Sequence, residues 1–212
     1  MPNSRQNSTL KPSATKDKKA RGRPKKFDFE EAAERALELF WTQGFEGTSI
    51  SNLSEALSMN RPSIYASFGN KDALFKFTLK RYASNQLQFI DTAIAKPTLN
   101  EVVDWLFKSE ITLLTQHEVP RGCLLVQAAA SCSKESEPIK ALLTNQRKAI
   151  EAKLRKRIQL AQLKKDFSTQ QSPSVLAKSM MTIYEGISIQ AASGSSKAEL
   201  LNIAELSKKI LS

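Results

Sequence analysis

Histidine and cysteine are almost missing from this chain. Among 212 residues there is one histidine, His117, and there are two cysteines, Cys123 and Cys132. A lone histidine cannot by itself build a metal site or a Ser-His-Asp relay. The two cysteines are too few for a disulfide framework and lack the spacing of zinc ligands. No glycine-rich phosphate loop is present. Catalysis, a bound metal and a cofactor are therefore not expected. Long uncharged apolar runs are also missing, so no spanning helix is expected. The first residues are polar and basic, without the apolar stretch of a secretory signal. A cytoplasmic location with no membrane partner follows as the expectation.

Positive charge is what the chain has in excess. The net charge is +11, and residues 1–26 carry most of it, with nine basic side chains against one acid, Asp17. The remaining 186 residues hold 23 basic and 20 acidic groups and are nearly balanced. A basic segment of this kind seeks a polyanion, nucleic acid or an anionic membrane, or else serves only as a solubilising end. Residues 1–26 have almost no large apolar side chains, so they are read as a disordered arm.

From Phe27 onward the pattern is helical throughout. Asp28 is read as a cap, followed by a stripe of Phe29, Ala33, Ala36, Leu37 and Phe40 that Gly44 ends. Thr48 is read as the next cap, before Ile50, Leu53 and Leu57. Pro62 fits only the first turn of a helix, which places a new helix from Asn60 or Arg61 to Phe68. Asn70 caps a helix expected to run to Pro97. Thr98, Pro138 and Ser172-Pro173 open longer helices, and no stretch alternates as a strand. The fold class is all-α, with an N-terminal three-helix helix-turn-helix domain over 27–70 joined to a C-terminal helical bundle over 71–212.

The segment from Thr48 to Phe68, TSISNLSEALSMNRPSIYASF, has helix-turn-helix spacing. Ile64 and Phe68 point inward on its second helix, leaving Arg61 and Ser63 outward, where such a helix can enter the major groove. Spacing alone does not separate this from three core helices of any bundle. Two stretches go further. GRPKKFDFEEAAERALELFWTQGFEGTSI (Gly22 to Ile50) and RPSIYASFGNKDALF (Arg61 to Phe75) resemble the DNA-binding domain of the TetR/AcrR family of transcriptional regulators. RGCLL, Arg121 to Leu125, looks like one subgroup of that family.

The resemblance implies a homodimeric, sequence-specific regulator of transcription. It would act as a repressor on double-stranded DNA at a palindromic operator, released by an unknown small-molecule effector or a redox signal. The alternative is an architectural protein that coats DNA without sequence preference. By resemblance, Thr48 meets a phosphate at the start of the second helix. Asn60, Arg61, Pro62 and Ser63 face base edges, while Tyr65 and Lys71 bond phosphates. The other reading of Tyr65 is a core aromatic with its hydroxyl at the rim, and that of Arg61 a solvated charge; the DNA contact is preferred for both. The family usually has glycine at the turn where this chain has Ser58; a left-handed residue there would cost about 1–2 kcal/mol.

Arg21-Gly22-Arg23-Pro24 resembles an AT-hook core, in which Arg21 and Arg23 would enter a narrow minor groove. The other reading is a linker that touches phosphates alone. In the C-terminal half, Trp105, Phe107, Tyr184 and Gln190 are candidate effector-pocket residues, although a core would use the same types. The final helices are the dimer elements by resemblance, and Gly186, Ala191 and Ala192 are small enough for close approach. Cys123, beside Arg121 at an expected helix start, is a candidate redox sensor with a favoured thiolate. Its alternative is a buried structural cysteine.

Overall fold

The computed structural model describes residues 29–116, 120–130, 132–167 and 171–211, and every regular element among them is a helix. Asp28, the basic arm with Arg21 and Arg23, and His117 lie outside the described residues.

Helix α1 (Phe29–Gly47) buries Ala32, Ala33, Ala36, Leu37, Phe40 and Trp41 on one face. The chain departs from helical geometry at Gly44, whose φ of 72° suits glycine. That break turns Phe45 inward, where it meets the Phe75 ring edge-on at 5.2 Å. Helices α2 (Ile50–Ala56) and α3 (Arg61–Phe68) follow, then α4 (Lys71–Gln86) capped by Asn70.

The helix expected to run from Asn70 to Pro97 is interrupted. It stops at Leu87 (φ −100°, ψ 7°), and α5 (Gln88–Ile94) continues it. Local side chains compete for the backbone at this point: Ser84 donates to the Lys80 carbonyl and Gln88 to the Ser84 carbonyl. Thr98 and Glu101 form a reciprocal cap that starts α6 (Leu99–Leu114). A short α7 (Leu124–Ala130) precedes the long α8 (Glu137–Leu163), α9 (Pro173–Ala192) and α10 (Lys197–Leu211).

Helices α6, α8, α9 and α10 pack into the C-terminal bundle, and α1 packs against both α4 and α7. The N-terminal unit is therefore seated directly on the bundle. One continuous core runs from Leu37 and Phe40 through Tyr82 and Leu106 to Leu154 and Ala204. No helix of the described residues is long and apolar enough to cross a membrane.

Candidate functional site

The two helices expected to grip DNA are built by caps. Ser49, not Thr48, is the N-cap of α2, and it exchanges hydrogen bonds with Asn52. Thr48 is fully buried and donates its hydroxyl to the Gly44 carbonyl at 2.7 Å. The hydroxyl therefore closes the end of α1 and is not presented to a phosphate. The two polar residues are adjacent, so cap preference alone could not choose between them.

The turn between α2 and α3 is left-handed at Ser58, with φ 53°. The family's usual glycine would suit this conformation, and serine carries the expected strain. Hydrogen bonds hold the turn: the amide of Met59 donates to the Ser54 carbonyl, and the Ser54 hydroxyl donates to that of Met59.

Asn60 caps α3 by accepting from the Ser63 amide at 2.9 Å, and Pro62 sits in the first turn. Ile64 and Phe68 anchor α3 to the core. Asn60, Arg61, Pro62, Ser63 and Tyr65 are exposed together on its outer side. Tyr65 is 49% exposed, which removes the core-aromatic reading. The Arg61 guanidinium donates to the Ser51 hydroxyl at 2.7 Å, so α2 steadies the arginine at the mouth of α3.

Lys71 stands apart from this row. Its ammonium donates to the carbonyls of Phe45 (3.0 Å) and Thr48 (3.1 Å) and lies 4.1 Å from the centre of the Phe45 ring. It satisfies orphan carbonyls where α1 ends. The lysine holds the N-terminal unit together.

A second cluster lies where α1 meets the bundle. The Trp41 indole donates to the Gly122 carbonyl at 2.5 Å, and its ring meets Tyr82 edge-on at 4.8 Å. Cys123 follows Gly122. Its thiol accepts from the Tyr82 hydroxyl at 3.3 Å, and its amide donates to the Ser188 hydroxyl at 2.6 Å. Residues Gly122 and Cys123 thus bind α1, α4 and α9 at one point. Another tie joins Glu46 to the Ser133 hydroxyl at 2.7 Å. The hydrogen bonds of Ser136 and Ser133 hold the Glu46 carboxyl below its usual range.

The expectation of a favoured thiolate at Cys123 is not met. The side chain is buried, and burial pushes the thiol up to about 11. Arg121 is exposed, and α7 spans only seven residues, so neither offsets the loss of solvent. Sequence reasoning misses Trp41, Tyr82 and Ser188, because each occupies an ordinary core position of its helix.

The other candidates scatter. Trp105 is 40% exposed with the Lys96 ammonium 3.7 Å from its ring centre, and Gln190 is exposed. Phe107 and Tyr184 are core residues. Ala191 is buried within its own protomer, while Ala192 is exposed and a methyl group at Gly186 would meet open space. Val175 and Ile189 on α9, and Ile203 and Leu206 on α10, are exposed apolar side chains on the two helices assigned to dimerisation.

Comparison with known proteins agrees with this architecture. Residues 33–76 match the family model "Bacterial regulatory proteins, tetR family". Residues 100–200 match "Tetracyclin repressor-like, C-terminal domain". The chain is 31% identical over 192 residues to the HTH-type transcriptional repressor ComR of Escherichia coli K12, covering 88% of this chain and 90% of that protein. It is also 31% identical to the regulator CifR, solved in a cysteine-substituted form with a 26-base-pair operator duplex. The TM-score is 0.83, with 88% of this chain and 98% of that chain covered. Escherichia coli NemR, solved in a reduced form, shares the fold at a TM-score of 0.72 and 20% identity, covering 85% and 96% of the two chains. The chain belongs to the TetR family of bacterial transcriptional regulators, sequence-specific DNA-binding proteins that work as homodimers.

Proposed function

We propose that this protein is a repressor whose hold on a palindromic operator is released by chemistry at Cys123. The single observation that carries the reading is the junction at Gly122-Cys123. The loop carbonyl binds Trp41 of the DNA-binding unit, and the next residue's thiol binds Tyr82 of the connecting helix. An adduct or oxidised sulfur cannot occupy the space of a fully buried thiol without moving one of these partners. Displacement of α1 and α4 changes how the α3 helices of a dimer are spaced, and operator half-sites tolerate little change in spacing. The protein does this work without catalysing a reaction.

On the DNA, Arg61 reads a base edge, helped by Asn60, Pro62 and Ser63, and Tyr65 bonds a phosphate. Arg21 and Arg23 add contacts in the flanking minor groove. Lys71 and Thr48 support this surface from behind. Operator DNA is the partner of CifR, the relative solved as a cysteine mutant on its duplex, which supports the DNA half of the reading.

Footprinting on DNA flanking the protein's own gene tests the reading. A short two-fold protected site is expected. Hypochlorite or benzoquinone should abolish it for the wild type and spare it for Cys123→Ser. Protection everywhere would indicate a coating protein instead. Equal loss of protection in Cys123→Ser would remove Cys123 from the mechanism.

A further inference from the structure

The first turns of α6 and α9 and the last turns of α8 and α10 come together around a cavity of about 280 Å³. Its wall is made of Leu99, Val103, Ile158, Phe167, Leu176 and Met180. Phe167 is partly buried against the core, and the other five are buried. Close-packed interiors rarely hold a void larger than a water molecule. Water gains little in such a space, because it needs several polar partners and these six side chains supply none. The wall is complementary to apolar matter.

The opening is ringed by Asn100, Glu205, Lys208 and Lys209. Lys208 bridges Glu205 to Asp104 of α6. Two cations at the rim thus stand against two carboxylates, and the rim is neutral in sum. The buried carboxyl of α6, Glu110, is 1% exposed with neither oxygen bonded among the described residues, and it is not part of the wall. A charged group entering here would lose its hydration without a matching partner. Glu205 and Lys209 lie one turn apart on α10, on a different face from the exposed apolar pair Ile203 and Leu206. On α9, Leu176 and Met180 likewise point away from the exposed Val175 and Ile189. Pairing of two protomers through those apolar faces therefore leaves the opening clear.

We propose that this cavity is a binding site for a small uncharged apolar molecule the size of two fused rings. An apolar cavity of about 150 Å³ takes up benzene. The volume of about 280 Å³ is nearly twice that. Asn100, exposed at the rim, can bond a single hydroxyl or carbonyl of the ligand. The site shares no residue with the Gly122-Cys123 junction and involves no reaction, so it stands apart from the release reading above. A molecule bound here touches α9 and α10, the two helices assigned to dimerisation, and so reaches the dimer by a route separate from Cys123.

2-Naphthol is the probe, titrated calorimetrically into the full-length homodimer at neutral pH, where the probe is uncharged. One molecule should bind per protomer, with the same affinity for Cys123→Ser. Val103→Phe fills the cavity from its wall, and Asn100→Trp blocks the rim from an exposed position. Each should weaken binding by about tenfold or more, and 2-naphthoate, with the same rings and a negative charge, should bind about tenfold more weakly or worse. Circular dichroism checks folding, and Asn100→Trp decides the matter if Val103→Phe does not fold. A wild type that fails to bind 2-naphthol, or undiminished binding by either folded variant, overturns the proposal. Binding lost in Cys123→Ser would put the probe at the junction and overturn it too. Equal affinity for 2-naphthoate overturns the uncharged ligand class.

Discussion

The indole nitrogen of Trp41 and the carbonyl of Gly122 are joined by a hydrogen bond of 2.5 Å, although 81 positions separate them in sequence. Trp41 belongs to the helix that carries the DNA-binding unit, and Gly122 immediately precedes the buried cysteine. Gly122 itself has φ 90°, and a side chain there would collide with Gln127. The loop is therefore held from both sides. Replacing Trp41 with Phe keeps an aromatic ring against Tyr82 but leaves the Gly122 carbonyl buried without its donor. Trp41→Phe should lower stability by about 1–3 kcal/mol in urea titrations. It should also weaken the response of DNA affinity to Cys123 modification. A variant that is destabilised but fully responsive would show that the bond is structural only.

Lys71 separates support from contact. If it bonded a phosphate, Lys71→Ala would flatten the log–log salt dependence of DNA binding by about 0.9 per protomer. Its ammonium is instead held by the carbonyls of Phe45 and Thr48. The expected result is a loss of about 1–3 kcal/mol in unfolding stability with an unchanged salt slope. A flatter slope at unchanged stability would return Lys71 to the DNA surface.

Arg61 and Tyr65 should behave differently from one another. Arg61→Ala should cost about 1–3 kcal/mol on the cognate site and relax preference at one base position. Tyr65→Phe should weaken every duplex alike, because phosphates carry no sequence. Selection from random duplexes would show this directly. An identical motif from wild type and Arg61→Ala would contradict the assignment.

The buried carboxyl also makes a statement about pH. Glu110 holds its proton more tightly folded than unfolded, because burial raises it. The folded state therefore binds more protons above the ordinary carboxyl range, and stability contributed by this group falls as pH rises towards the raised value. Urea midpoints of the wild type should decline as pH rises above the ordinary carboxyl range, and Glu110→Gln should decline less. Parallel curves would mean that Glu110 does not change protonation across that window.

The helices are legible in the sequence where caps and stripes are unambiguous, as with Thr98 and Glu101 opening α6, or Ser172 and Pro173 opening α9. The exposed row from Asn60 to Tyr65 follows from the inward spacing of Ile64 and Phe68. Differences arise where a local contest decides the outcome. Ser49 beats its neighbour Thr48 as cap because Asn52 can answer it, and the side chains of Ser84 and Gln88 break a helix that periodicity alone would continue. Lys71 escapes sequence reasoning because its partners are backbone carbonyls at the end of α1, with α2 and α3 between, which no side-chain pattern reveals. Glu110 does leave a trace, as a charge between Phe107 and Ile111 on an otherwise apolar stripe. The groups coupled to its charge come from α4, α9 and the loop before α7, and no spacing within α6 points to them.

The most direct test follows operator occupancy against Cys123 modification in the same sample. Fluorescence anisotropy of a labelled operator duplex would report binding, and intact-mass and peptide analysis would report the fraction of Cys123 converted by N-ethylmaleimide. The account predicts that occupancy falls in step with Cys123 modification, and that Cys123→Ser stays bound under the same treatment. Fully modified wild-type protein that still holds the operator with its original affinity would contradict it.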